Sequence, residues 1–252
     1  MSGFNRFIYD KIVRTGDVTV YPSANFQPGY EPPKIKNMWV DYVYRSLAGT
    51  KNANIDIESK GSVDVPVSGC ALYGLNLTAS YTTLKLQKFT TIWVDVADFE
   101  YDDVNGRAIA FFTETSEHKY RIVMNDPNVA SYVQLGVIVL GGAKELSRGY
   151  EYGASSDLDD SSEHRYSKDG HLSVSVGRKI KAQAVTYEVM ATDEAKLETV
   201  YRAAGRRYPL VFVEDSSQRK ETMRYIIFQA RFGRRMPGYL FKTITLSWAR
   251  LD

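Results

Sequence analysis

The residue types that most often carry out catalysis or bind metals are few in this sequence, and their spacing suits neither task. Its three histidines, His118, His164 and His171, form neither an HExxH nor a His-x-His pattern. His164 and His171 lie in a polar segment, where solvated histidines are more common than metal ligands. Cys70 is the only cysteine, and no histidine lies near it in the sequence to activate the thiol. With no GxSxG or P-loop motif either, we expect no catalytic site, no metal and no cofactor.

Four acidic residues cluster in the same polar segment, at Asp157, Asp159, Asp160 and Glu163. The cluster lacks the glycine and the terminal glutamate of an EF-hand loop. The spacing therefore favours a solvated loop, with calcium binding as the alternative that the sequence leaves open.

Two arginine clusters are the clearest candidates for a contact surface. One is Arg206 with Arg207, and the other is Arg231, Arg234 and Arg235. Clustered arginines bind phosphates, and they also bind carboxylates at subunit interfaces. The chain has 32 Lys and Arg against 30 Asp and Glu, a net charge of only +2, which favours the subunit contact over nucleic acid.

Tryptophans on a β-sandwich are candidates for stacking against sugar rings, and here these are Trp39 and Trp93. Trp93 lies within an alternating strand pattern, so packing on the sheet is the favoured interpretation for it. Carbohydrate binding stays open as an alternative function.

The composition indicates a soluble β protein that assembles in a reducing compartment. Its 18 tyrosines and 11 phenylalanines suit half-buried sheets and interfaces. A single cysteine permits no intrachain disulfide. The sequence contains no apolar run of about 18 residues, and its first residues lack the apolar core of a signal peptide. We expect neither a membrane span nor export by that route.

Residues 1–14 are expected to form an N-terminal arm. Phe4, Phe7 and Ile8 belong to an apolar set at rough helical spacing, but so short a helix is marginal on its own. The arm would dock on its own domain or on a neighbouring subunit, which makes these three residues interface candidates. The proline-rich stretch 21–34 is expected to be extended.

Alternating apolar residues then predict a series of strands. Asn105-Gly106 is a strong hairpin signal. Residues 132–142 are apolar on both faces and predict a central strand ended by Gly141-Gly142. Residues 15–142 are therefore expected to form the first β domain.

The polar residues 143–171 predict a crossover, and strands resume in a second domain at 172–252. One helix is predicted at about 193–204, with Thr192 as N-cap and Gly205 at its C-terminal end. The expected fold class is mainly β, with two β-sandwich-like domains.

The order of several segments resembles a known family. YGLNLTASYTTLKLQ (73–87) and KYRIVMNDPNVASYVQLGVIVLGG (119–142) are similar to the strand entry and the close of a discoidin-like (galactose-binding-like) jelly roll. Residues 21–46 resemble its start, and 148–174 the linker that follows. These modules occur in minor tail proteins of long-tailed bacteriophages, including distal tail and other tail-tip proteins.

The resemblance implies a structural virion protein without a catalytic site. Such a protein would form a homo-oligomeric ring or adaptor near the tail tip or baseplate, assembled in the host cytoplasm. Its partners would be further copies of itself and the tail tube, hub, tape measure and fibres, with no membrane and no nucleic acid. A carbohydrate-binding module that contacts host-surface glycans is the alternative.

Overall fold

The computed structural model describes residues 4–22, 25–147, 155–160, 163–166, 172–175, 179–229, 232–235 and 242–251. The expected mainly β fold is confirmed, and strands dominate both halves of the described chain. Within these residues, no helix is long and apolar enough to cross a membrane.

The first half contains twelve strands and a short 3-10 helix, η1. Their bounds are β1 Arg6–Asp10, β2 Asp17–Tyr21, η1 Pro32–Lys36, β3 Tyr44–Arg45, β4 Asn52–Glu58, β5 Val65–Tyr73, β6 Thr83–Phe89, β7 Trp93–Asp98, β8 Glu100–Asp102, β9 Arg107–Glu117, β10 Lys119–Asn125, β11 Gln134–Leu135 and β12 Val137–Glu145.

The described part of the second half contains eight strands and two helices. Their bounds are β13 Ser155–Asp160, β14 Glu163–Tyr166, β15 Leu172–Ser175, β16 Lys179–Val189, α1 Ala191–Ala204, β17 Leu210–Val213, α2 Arg219–Thr222, β18 Met223–Phe228, β19 Gly233–Arg235 and β20 Lys242–Arg250.

A five-stranded antiparallel sheet forms one layer of the first domain, in the order β2-β4-β10-β6-β7. Alternation along each strand decides which side chains face the core. On β10, Tyr120, Ile122 and Met124 are buried, while Lys119 and Arg121 lie on the outer face. The hydrophobic pattern thus sets the register of this layer.

The opposing layer belongs to a much larger sheet. Its part in the first domain has the order β12-β5-β9-β8, and Leu72, Ala110 and Leu140 of this layer pack against the five-stranded sheet. The predicted turn at Asn105-Gly106 joins β8 to β9, and Gly106 has φ +60°. Glycine adopts this left-handed conformation without steric cost.

Strand β1 connects the two domains, whereas residues 1–14 were expected to form an N-terminal arm. It pairs with β12 of the first domain on one side and with β17 of the second domain on the other. Phe7 and Ile8 point to opposite faces and both are fully buried. The strand ends at Asp10, whose carboxylate accepts hydrogen bonds from the backbone N–H groups of Val13 and Arg14, both at 3.0 Å.

Gly141 and Gly142 lie inside β12 and do not end it, contrary to the sequence expectation. A methyl group at Gly141 would overlap the carbonyl oxygen of Tyr9, and one at Gly142 would overlap the Tyr9 ring. The glycines therefore allow β1 to lie against β12, and the strand continues to Glu145.

Side chains on one face of the large sheet form a core that both domains share. Ile8 lies between residues of β5 and β9 from the first domain and of β17 and β18 from the second. The rings of Tyr73 and Tyr225 meet across this core, with centroids 5.2 Å apart. Arg107 of β9 donates hydrogen bonds to the carbonyl oxygens of Met223 and Glu221, each at 3.0 Å. The two domains therefore share apolar packing as well as backbone pairing.

Helix α1 covers the other face of the second domain's sheet. Leu197, Val200 and Ala204 pack with Phe7 and Trp248. The helix begins two residues before the predicted start, and its N-cap is Met190 rather than Thr192. Gly205 follows it with φ 55°, as a C-terminal glycine should.

The expected crossover at 143–171 contains strands where the structure describes it. β12 runs to Glu145, β13 is paired with β16, and β14 is paired with β15. The polar composition of this segment concealed its strands, because neither β13 nor β14 shows a clear apolar alternation.

Candidate functional site

The connections between strands β2 and β4 and between β10 and β12 meet at one end of the first domain. Antiparallel pairing of β2, β4 and β10 brings residues 25–51 and 126–136 together. Strand β3 from the first connection pairs with β11 from the second. We call this surface, formed by residues 25–51 and 126–136, the loop end.

Hydrogen bonds to Asn25 hold the long connection in place. Asn25 is buried and donates from Nδ2 to the carbonyl oxygen of Asn52 at 3.1 Å. Its Oδ1 accepts the N–H of Leu47 at 3.2 Å, and its carbonyl accepts the hydroxyl of Tyr44 at 2.7 Å. Burial raises the pKa of the Tyr44 hydroxyl above its ordinary value.

Arg45 lies between two tyrosine rings of the loop end. Its guanidinium carbon is 4.1 Å from the ring centroid of Tyr30 and 4.9 Å from that of Tyr132. Its Nε also donates to Oε1 of Gln134 at 2.9 Å. A planar guanidinium can stack and donate at the same time, so this one side chain connects both parts of the loop end.

An open pocket of about 530 Å³ lies beside η1 and is lined by Glu31, Pro33, Lys34, Lys36, Asn37 and Tyr42. The Tyr42 side chain is 49% exposed, which is high for a large aromatic residue. Pro32 and Ile35 of η1 are buried and fix the helix that presents these side chains.

Charged groups flank the Tyr42 ring. The Lys34 Nζ lies 6.0 Å from the ring centroid. Glu31 accepts the N–H of Gly29 at 2.8 Å. A hydrogen bond from its own backbone N–H, together with the bond from Gly29, holds the pKa of the Glu31 carboxyl below its usual value. The pocket therefore offers one exposed aromatic face with charged and amide groups around it.

The two tryptophans predicted as carbohydrate candidates lie in different places. Trp39 is half-buried in the turn that leads to Tyr42, within the loop end. Trp93 starts β7 at the opposite end of the five-stranded sheet. The guanidinium of Arg121 lies 3.9 Å from the Trp93 ring centroid, so that ring packs on the sheet.

The interface candidates are also dispersed. Phe7 and Ile8 are buried within their own chain, whereas Phe4 is 47% exposed. Arg206 and Arg207 are exposed just after α1. Arg231 lies outside the described residues, as do the side chains of its cluster partners on β19, Arg234 and Arg235.

The groups considered for catalysis or metal binding do not assemble in the described residues. His118 Nδ1 is 3.5 Å from the carboxylate of Asp64, near the surface. Cys70 is fully buried, and burial raises the pKa of its thiol. No group of three or more His, Cys, Asp and Glu residues that could hold a metal occurs in the part of the chain searched.

The remaining candidates for metal binding fall outside that part. His171 is not described, and neither are the side chains of His164 and of the acidic cluster at 157–163.

Sequence reasoning missed Tyr30, Tyr42, Tyr132 and Arg45. The proline-rich stretch 21–34 was the available signal, because a connection restricted by prolines is well suited to presenting side chains. The expectation that the whole stretch is extended is wrong at its end, where Pro32 and Pro33 begin η1. Its partner at 126–136 could not be inferred, since the two stretches lie about 90 residues apart in the sequence.

No protein-family model matches this chain, and a search of curated proteins finds no significant match. Several solved structures are similar to about half of this chain. Chitosan-binding module 2 from a chitosanase/glucanase of Paenibacillus sp. IK-5, solved with chitotriose, is 19% identical with a TM-score of 0.43, covering 52% of this chain and 100% of that chain.

The family 32 carbohydrate-binding module of C. perfringens NanJ, solved with galactose, is 8% identical with a TM-score of 0.43, over 56% of this chain and 99% of that one. A chain of the Streptococcus pneumoniae β-galactosidase BgaA is 10% identical with a TM-score of 0.42, over 51% of this chain and 98% of that one.

Proposed function

We propose that the first domain is a non-catalytic carbohydrate-binding module and that the loop end is its binding surface. The observation that carries this proposal is the pocket beside η1, in which the exposed Tyr42 ring is accompanied by Asn37, Glu31 and Lys34. Sugars have apolar ring faces and polar edges, so an aromatic face bordered by amide and charged groups matches their chemistry.

The size and rigidity of the loop end support this function. The pocket volume of about 530 Å³ lies within the range of small-molecule sites, about 300–1,000 Å³. The stacking of Arg45 and the hydrogen bonds of Asn25 hold the surrounding chain in place before a ligand arrives. A preformed surface loses less conformational entropy on binding, which favours affinity.

A glycan array probed with the full chain tests this function, followed by titration of the best sugar. Tyr42→Ala should weaken binding about tenfold, which corresponds to about 1.4 kcal/mol. Tyr21→Ala is the matched control, because Tyr21 is 61% exposed on the outer sheet face and is not among the residues that line the pocket. An array without any signal, or equal binding by both variants, would contradict the proposal.

A second candidate function is that of a structural subunit of a bacteriophage tail. The specific observation behind it is strand β1, which pairs with both domains and gives them a common sheet and a common core. A rigid two-domain body suits a subunit that holds a fixed position among neighbours. The ordered sequence resemblance at 73–87 and 119–142 supports the same function.

Electron microscopy of the purified chain and of virions tests the second function. We expect rings or adaptors in solution and the protein at the tail tip, in contact with tail tube, hub or fibre proteins. A strict monomer that is absent from every particle would rule it out. Glycan binding and ring formation are measured in separate experiments, so each test stands by itself.

A further inference from the structure

The charged side chains that line the loop-end pocket differ in whether they already form hydrogen bonds with the protein. Glu31 supplies the one carboxylate among the pocket's lining residues, while Lys34 and Lys36 supply two ammonium groups. Glu31 already accepts hydrogen bonds from its own backbone N–H and from the Gly29 N–H, and both lower the pKa of its carboxyl. Lys36 donates to the carbonyl oxygen of Gly16 at 2.8 Å, a contact that fixes its position without neutralising its charge.

Of the two lysines that line the pocket, Lys34 is the one whose ammonium group can bind a ligand. The Lys34 Nζ lies over the face of the exposed Tyr42 ring, and among the described residues Lys34 forms no ion pair. Lys34 is near enough to Glu31 for its charge to lower the pKa of the Glu31 carboxyl, but the Glu31 oxygen is directed to the backbone of Gly29. Asp41, next in sequence to Tyr42, lines a separate cleft with Arg107 and Arg250.

A neutral sugar on Tyr42 would therefore cover part of the Lys34 ammonium without giving it a charged partner. A carboxylate or sulfate on the sugar would instead form a charge-assisted hydrogen bond with Nζ. We propose that the carbohydrate bound at the loop end is acidic, with its ring on Tyr42 and its negative group on Lys34. This inference rests on the proposed carbohydrate-binding function.

The expected preference is modest, because Lys34 is only half-buried. Exposed ion pairs contribute up to about 1 kcal/mol, so the acidic sugar should bind roughly fivefold more tightly than its neutral counterpart. Screening by salt should remove the preference at about 1 M, where the Debye length is about 3 Å. Contact of the sugar ring with Tyr42 should persist at that salt concentration.

The experiment is a glycan array with matched pairs whose two members have the same sugar rings and differ in the acidic group: a uronic acid and its methyl ester, a sulfated sugar and its desulfated form, a sialylated sugar and its methyl ester. The best pair is then titrated into the full chain by calorimetry. Lys34→Gln should weaken binding of the acidic member about fivefold and so abolish the preference for it over the neutral member. Lys34→Arg should restore the preference.

Lys60→Gln is the control, because it removes the same charge from an exposed position in the turn after β4, outside the residues that line the pocket. Equal binding of both members of each pair, or an unchanged preference in Lys34→Gln, would overturn the inference while leaving carbohydrate binding in place. Absence of binding to every sugar would overturn the proposed function itself, and this inference with it.

Discussion

The guanidinium of Arg45 lies 4.1 Å from the centroid of the Tyr30 ring, and the same guanidinium faces Tyr132 from the other connection of the loop end. One side chain thus joins two segments that are distant in sequence. The pocket that contains Tyr42 is lined by residues of the first of these segments, 25–51.

Arg45→Lys should reduce glycan affinity several-fold with little change in melting temperature. Lysine keeps the charge but cannot stack as a plane between two rings or hold the same bond to Gln134. Hydrogen exchange should increase across residues 27–45, and calorimetry should show the weaker binding. If exchange stays at the wild-type level, the two-sided stack does not order the loop end.

Arg107 is expected to be the polar residue most important for holding the domains together. It pairs with Asp102 at 3.0 Å and reaches two carbonyl oxygens of the second domain. Removing one member of a buried pair leaves the other without compensation, so Arg107→Gln should lower the free energy of unfolding by about 3 kcal/mol in urea titrations. Arg202→Gln is the control, since the Arg202 side chain is 79% exposed and its pair with Glu198 should contribute under about 0.5 kcal/mol.

Asp102 should make stability depend on pH in the acid range. Burial alone would raise the pKa of its carboxyl, but hydrogen bonds from Asn105 and Arg107 outweigh burial and hold the pKa below its usual value. A depressed folded-state pKa stabilises the protein above the unfolded-state value, about 3.9, and this contribution is lost as pH falls through the folded-state value.

The free energy of unfolding should therefore decrease as pH is lowered from about 5, and Asp102→Asn should decrease less steeply over the same range. Parallel slopes for the two proteins, measured by urea unfolding at each pH, would show that Asp102 does not contribute.

Loss of the Ile8 side chain should destabilise both domains together. Its side chain is fully buried in the core shared by β5, β9, β17 and β18. Ile8→Ala should cost about 2–5 kcal/mol, and fluorescence and circular dichroism should still report one common transition. Phe4→Ala, at a position 47% exposed, should cost far less. Two separate transitions in the wild type would contradict the shared core.

Arg206 and Arg207 provide a test of the structural function. Both are exposed after α1, and arginine is enriched where subunits meet. If the chain forms rings through this surface, Arg206→Glu combined with Arg207→Glu should shift the sedimentation profile toward monomers without lowering the melting temperature. Lys60→Glu, a charge reversal at a remote exposed position, serves as the control.

The sequence by itself determined the class of the fold and much of its local structure. Alternation of apolar residues identified the strands around Tyr120 and Leu84, Asn105-Gly106 marked a turn, and Gly205 marked the end of the helix. These features depend on neighbours within a few residues, so composition and spacing are sufficient to reveal them.

Only the tertiary structure decided where the first strand lies and what the loop end contains. Nothing within residues 1–14 indicates that β1 would pair with β12 and β17, because its partners are more than 120 residues away. The stack of Tyr30, Arg45 and Tyr132 likewise depends on a contact between two connections. Packing between distant segments overrides local helical spacing, since burial on both faces of a shared sheet stabilises a strand more than an isolated short helix can be stabilised.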